Sequence, residues 1–169
     1  MSYVDTSVIV AAFDKLNSRQ RMAREVLEEG ERKIVSEFVL TELASILSKR
    51  EDMLLELSRK LKVREELIVP VVILYILRRF KLSYRRVDGY RRIFMIGNLY
   101  SPFATAVDMS SKFKLKTLDL LHLAYVKTLM EQGEGINELI TVDHNFERER
   151  EIIKRELNVD VKILGSSSE

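Results

Sequence analysis

Cysteine and tryptophan are absent from this chain of 169 residues, and histidine occurs only twice, as His122 and His144. Without cysteine there is no disulfide, no thiolate metal site and no cysteine nucleophile. That absence is compatible with a reducing cytoplasm, the expected location. Two histidines exclude a three-histidine metal site within one chain, so any metal site must be built mainly from oxygen ligands. An excess of one charge is also missing: 28 Lys+Arg face 26 Asp+Glu, for a net charge of +2. The sum does not announce a nucleic-acid binder, so that function has to rest on where the charges lie. Long apolar runs are missing too. The most apolar stretch, Leu67 to Leu77, is about half the length that a membrane-spanning helix needs. It reads as a buried core helix, and no membrane association is expected. Met1-Ser2-Tyr3-Val4-Asp5 is not a basic segment leading into an apolar one, so no secretory signal is expected.

What remains is an ordinary globular balance, 46% hydrophobic and 32% charged. The length suffices for one core. Residues 1–164 are assigned to a single domain and 165–169 to a disordered tail. The patterning predicts short strands at Ser2–Val4, Lys33–Val35, Arg91–Ile96, Glu138–Val142 and Val159–Leu164. Helical spacing covers Thr6–Phe13, Ser18–Glu29, Glu37–Arg50, Val63–Phe80, Pro102–Phe113, Thr117–Glu131 and Asn145–Leu157, with a further piece through Leu54, Leu57 and Leu61. Pro70 either kinks its helix or marks its first turn. Short strands separated by helices give an α/β class: a parallel sheet with helices on both faces. The segment around 50–100 reads as a helical insertion or a lid on that sheet.

Ligands of parallel sheets bind beyond the carboxyl ends of the strands. Asp5 directly follows the first strand, and Asp143 directly follows a later one. Each is also a good helix N-cap. Glu42 lies three residues after Val39 and four before Ile46, so it borders an apolar stripe. A carboxylate there loses hydration unless a cation or donor meets it, and the plainer reading is an edge glutamate paired with Lys or Arg. Asp119 opens the most apolar helix, where the dipole favours an acid. His122 follows one turn on, and its plainer reading is a satisfied core residue. Four carboxylates in one cleft repel strongly without a counter-charge. Divalent cations resolve that conflict, and Mg²⁺ and Mn²⁺ prefer oxygen ligands. The chemistry expected of such a site is in-line hydrolysis of a phosphodiester by a metal-activated water.

Four stretches carry a resemblance. Tyr3-Val4-Asp5-Thr6-Ser7-Val8-Ile9-Val10-Ala11 looks like the opening motif of PIN-domain nucleases. Ser36-Glu37-Phe38-Val39-Leu40-Thr41-Glu42-Leu43 resembles their second motif, Leu118-Asp119-Leu120-Leu121-His122-Leu123-Ala124 their third, and Thr141-Val142-Asp143-His144-Asn145-Phe146 their fourth. Order and approximate spacing fit from Ser2 to about Leu164. The resemblance implies a three-layer sandwich around a short central parallel sheet. It also implies Asp5, Glu42, Asp119 and Asp143 as the catalytic metal site, and Thr6, Ser7 and Thr141 as polar supports of it. The implied activity is a Mg²⁺- or Mn²⁺-dependent endoribonuclease acting on RNA. Many relatives are VapC-type toxins held by a small antitoxin, often as homodimers, and others act in RNA processing or decay. The long helical stretch between the second and third motifs departs from the compact toxin pattern.

Arg78, Arg79, Lys81, Arg85, Arg86, Arg91 and Arg92 lie close together, with Tyr84 and Tyr90 interleaved. They form a candidate RNA-binding segment; the plainer reading is a solvated surface or a docking site for an acidic partner. Two rival functions remain. A non-catalytic RNA- or protein-binding module would not need four clustered acids. A magnesium-dependent phosphatase would want a second Asp close to Asp5, and Thr6-Ser7-Val8 supplies none.

Overall fold

β-Branched and aliphatic residues concentrate in short runs, and these build the sheet. The computed structural model describes residues 1–165. The tail expected beyond the domain therefore lies, apart from Gly165, outside the described residues. A five-stranded parallel sheet is formed by β1 (Ser2–Val4), β2 (Lys33–Ser36), β3 (Ser83–Arg85), β6 (Glu138–Thr141) and β7 (Asp160–Ile163), in the order β3-β2-β1-β6-β7. β1 is central and wholly buried, as a parallel strand covered on both faces should be. Helices α1 (Thr6–Phe13), α2 (Gln20–Glu28), α3 (Glu37–Ser48), α4 (Glu51–Leu61), α5 (Glu65–Arg79), α6 (Ser101–Met109), α7 (Thr117–Glu131) and α8 (Arg150–Leu157) flank it. Tyr3, Ile9, Leu123, Leu129 and Phe146 are among the largest fully buried side chains. Helix α7 is apolar on most sides because it also packs against α6. Lys33 is buried in β2, where its ammonium donates to the carbonyls of Glu29 (2.9 Å) and Glu31 (3.3 Å).

Residues 50–100 begin with two helices. α5 keeps Pro70 in its interior. The segment then contributes β3 to the sheet edge. The run expected as one strand over Arg91–Ile96 is instead an antiparallel hairpin, β4 (Tyr90–Ile93) and β5 (Gly97–Tyr100). Met95 (φ 64°) and Gly97 (φ 107°) turn the chain. Glycine adopts that left-handed backbone without steric cost. Phe94, Met95 and Ile96 are left at the exposed tip. The helix expected from Asn145 starts as a 3-10 segment, His144–Glu149, before α8, and α6 stops at Met109. Tyr100 anchors the hairpin by donating to the Glu37 carboxylate. Among the described residues, no helix is long and apolar enough to cross a membrane.

Truncating Leu129, which is 1% exposed, to alanine is expected to cost about 2–5 kcal/mol in urea denaturation. Phe94→Ser, at 88% exposure, should stay within about 0.5 kcal/mol of the wild type.

Candidate metal centre

Two neighbouring strands end side by side: Val4 of β1 is in register with Ile140 of β6. Asp5 leaves the first, and Asp143 comes after the second, beyond Thr141 and Val142. Both acids also cap the helical segments they precede: Asp5 accepts from the Ser7 amide (3.1 Å) and Asp143 from the Asn145 amide (2.8 Å). The capping reading and the site reading thus hold together. Glu42 reaches in from α3 and Asp119 from the first turn of α7. All four acids line one open cleft of about 380 Å³, together with Asn17, His122 and Val142. Among the described residues, no lysine or arginine lines it.

Hydroxyl groups hold the acids. Asp5 is 5% exposed. Its Oδ2 accepts from Thr141 Oγ1 (2.5 Å) and Ser7 Oγ (2.8 Å). Thr141 Oγ1 in turn accepts from the Asp143 amide (3.0 Å). Thr6 Oγ1 donates to Glu42 Oε2 (2.5 Å). The three polar supports expected from the sequence, Thr6, Ser7 and Thr141, therefore all touch the acids. Asn145 adds a contact that sequence reasoning missed, its amide nitrogen lying 3.3 Å from Asp119 Oδ2. Its position two residues after Asp143 was the available signal.

His122 is 2% exposed and packs edge-on to Phe38 and Tyr3, as a core residue would. Its Nε2 also lies 3.2 Å from Asp5 Oδ1 and 2.9 Å from Glu42 Oε2. Ionised carboxylates only accept hydrogen bonds, so Nε2 carries a proton. Nδ1 meets the Tyr3 hydroxyl (3.2 Å), which also contacts Ser36 Oγ (2.8 Å). Asp5, Glu42 and His122 form the tightest ligand-bearing group, with their ligand atoms all within 4.8 Å of one another. Asp119 and Asp143 face the same cleft outside that group. Burial opposes charge on His122, but its hydrogen bond to Glu42 and the charges of Asp5 and Glu42 win and raise its pKa. Burial pushes Glu42 up, yet His122 and Thr6 together lower it. Burial, then repulsion from Asp143 and Asp5, raise Asp119. Hard oxygen donors, repelling one another and opposed at the centre by one imidazole, match what Mg²⁺ or Mn²⁺ binds.

The model of the PIN domain matches residues 2–151. The chain belongs to the PIN-domain family. No curated protein shows significant similarity to it. Among solved structures, this PIN domain is similar to a chain of VapBC2 from Rickettsia felis, crystallised bound to a DNA fragment from their promoter. The TM-score is 0.54 at 18% identity, over 97% of this chain and 99% of that one. It is also similar to Mycobacterium tuberculosis VapC20, a sarcin–ricin-loop-cleaving toxin, with a TM-score of 0.53 at 15% identity over 88% of this chain and 94% of that one. At such identities the likeness establishes the fold.

In this PIN domain none of the seven basic residues singled out in the sequence lines the cleft. Arg79 pairs with Glu28 (2.6 Å), Arg85 with Glu134 (2.5 Å), Arg86 with Asp88 (2.9 Å) and Arg91 with Glu131 (3.7 Å). Among the described residues, Arg78, Lys81 and Arg92 form no ion pair.

The acid cluster leads to two predictions. Thr141→Val removes a buried donor from Asp5 and is expected to cost about 1–3 kcal/mol in metal-free chemical denaturation. The second concerns pH. The raised Asp119 binds its proton more tightly folded than unfolded, so its contribution is lost as pH climbs above its ordinary 3.8 toward the folded value. The raised His122 stabilises at low pH and loses that as pH passes its folded value. Glu42, lowered, contributes above its ordinary 4.5 and loses it in acid. In EDTA the melting temperature should therefore fall as pH rises past the ordinary 6.5 of histidine, and Asp119→Asn should melt higher than the wild type there. A metal-free melting temperature that climbs to pH 8 would contradict this account.

Proposed function

We propose that the protein is a metal-dependent endoribonuclease of VapC type that hydrolyses RNA phosphodiester bonds at the cleft of Asp5, Glu42, Asp119 and Asp143. The observation that carries this reading is the convergence of all four acids on one cleft that, among the described residues, no lysine or arginine lines. Asp5, Glu42, Asp119 and Asp143 are the residues that would hold Mg²⁺ or Mn²⁺. Such a cation supplies charge for the carboxylates and Lewis acidity for attack of water on phosphorus.

The chain's own groups do the rest. Thr141 and Ser7 fix Asp5 Oδ2, and Thr6 fixes Glu42, so neither carboxylate has to be ordered when a ligand arrives. Asn145 orients Asp119. His122 holds a proton between Asp5 and Glu42 and keeps their charges compatible before the cation binds. Arg78, Lys81 and Arg92 are the cations of the basic segment not taken up by ion pairs, and this reading assigns them to the RNA backbone. Arg79, Arg85, Arg86 and Arg91 reach RNA only by giving up the pairs they make.

The toxin reading draws on VapC20, which is named for cleaving a sarcin–ricin loop. It brings a small antitoxin and a homodimer as partners, within the cytoplasm. Leu67, Leu74 and Tyr75, exposed on α5, offer apolar surface for a protein partner. The alternative, a binding module without catalysis, has no use for burying Asp119 beside the charges of Asp143 and Asp5.

The test is cleavage of structured and unstructured RNA in Mg²⁺, Mn²⁺ or EDTA. Activity is expected in one or both metals and none in EDTA. Asp5→Asn and Asp119→Asn should each reduce it at least ~100-fold, with circular dichroism unchanged. Full activity in EDTA, or in either variant, would sink the assignment.

A further inference from the structure

A phosphodiester is an anion, and a cleft walled by carboxylates repels it. One answer at the rim of the cleft comes from Arg19, in the loop between α1 and α2. Its Nη1 donates to the carbonyl of Val142 (3.4 Å), a cleft-lining residue next to Asp143. Its Nη2 lies 2.8 Å from His144 Nε2. A guanidinium only donates, so His144 Nε2 accepts and the imidazole proton sits on Nδ1, facing Glu147 Oε1 at 3.2 Å. The Arg19 amide donates to Asn17 Oδ1 (2.9 Å), and Asn17 also lines the cleft. The side chain lies against Gly165, where a Cβ would come within 2.8 Å of Arg19 Nε. Arg19 is thus located from four directions.

Its charge is uncommitted. Among the described residues Arg19 forms no ion pair, whereas Arg79, Arg85, Arg86 and Arg91 all do. An imidazole nitrogen and a carbonyl engage two of its five N–H groups. A half-buried, held guanidinium with donors to spare is suited to bidentate phosphate recognition.

We propose that Arg19, held by His144 and the Val142 carbonyl, binds an RNA backbone phosphate at the Asp143 rim of the cleft. This rests on the nuclease reading above and adds the group that brings the strand to the acids. His144 acts through Arg19 as a positioning residue.

The experiment compares wild type, Arg19→Gln and Arg19→Lys on single-stranded RNA in Mg²⁺ and Mn²⁺, reading kcat and KM against salt, with metal binding followed by calorimetry. Arg19→Gln should raise KM about tenfold or more and make the salt dependence shallower by ~0.7 in log–log slope, the value for one lost phosphate contact on a single strand. Metal affinity should stay unchanged. Arg19→Lys should recover part of the loss, since the charge returns without the fork. Unchanged KM and salt slope in Arg19→Gln would overturn the inference and leave the nuclease reading standing. Loss of metal binding in Arg19→Gln would overturn it too, by making Arg19 a support of the acids. Binding of inorganic phosphate that depends on Arg19, with RNA kinetics unaffected, would overturn it in favour of a free-anion site. Absence of cleavage by the wild type in either metal would remove the nuclease reading and this inference together.

Discussion

A carboxylate taken out of water must be met by donors or by a cation, and Asp5 is the point where this chain meets that demand. It leaves the central strand, is almost wholly buried, and accepts from Thr141, Ser7 and the Ser7 amide while facing His122. These partners come from α1, β6 and α7. Satisfying one charge thus ties together the sheet and helices on which the other acids stand. Burial works against the charge on His122, but its hydrogen bond to Glu42 and the charge of Asp5 raise it; burial pushes Glu42 up, but hydrogen bonds from His122 and Thr6 bring it down.

The compensation is incomplete in a physical sense. The hydroxyls orient the acids without neutralising them, and His122 can supply at most one positive charge. Burial, with the repulsion of Asp143 and Asp5 added to it, leaves Asp119 with a raised proton affinity. A fold evolved only for stability would have relieved it with a lysine or an apolar side chain. Here the imbalance is kept at the mouth of a cleft, where a ligand can relieve it.

Much of this was legible in the chain. Asp5 and Asp143 come directly after runs that read as strands, and that local signal set these two at one edge of a parallel sheet; Asp119 opens a plainly apolar helix and Glu42 borders a stripe, and the resemblance to the PIN motifs joined them to the pair. The polar supports were visible as neighbours of the acids. What stayed hidden depends on contacts between distant loops or on edges. Ser83–Arg85 carries no apolar alternation because an edge strand is covered less fully, so β3 had no signal. Ile93 to Ile96 is uniformly apolar and imitates a strand, whereas Gly97 turns it. His122 shows its spacing to Asp119 in sequence, but its position between Asp5 and Glu42 exists only once α7 lies over β1. Arg19 and His144 are separated by 125 positions, with no periodicity to connect them.

The strand order has a temporal side. β1 is the first element of the chain, yet one of its two neighbours is β6, which begins at Glu138. Until the ribosome has delivered that strand, β1 keeps an open flank, and Asp5 lacks both Thr141 and the facing Asp143. An amino-terminal fragment released before that strand lacks Asp143. Whatever the cleft does, it is withheld until β6 and Asp143 have been translated, so a chain still short of them has no completed cleft.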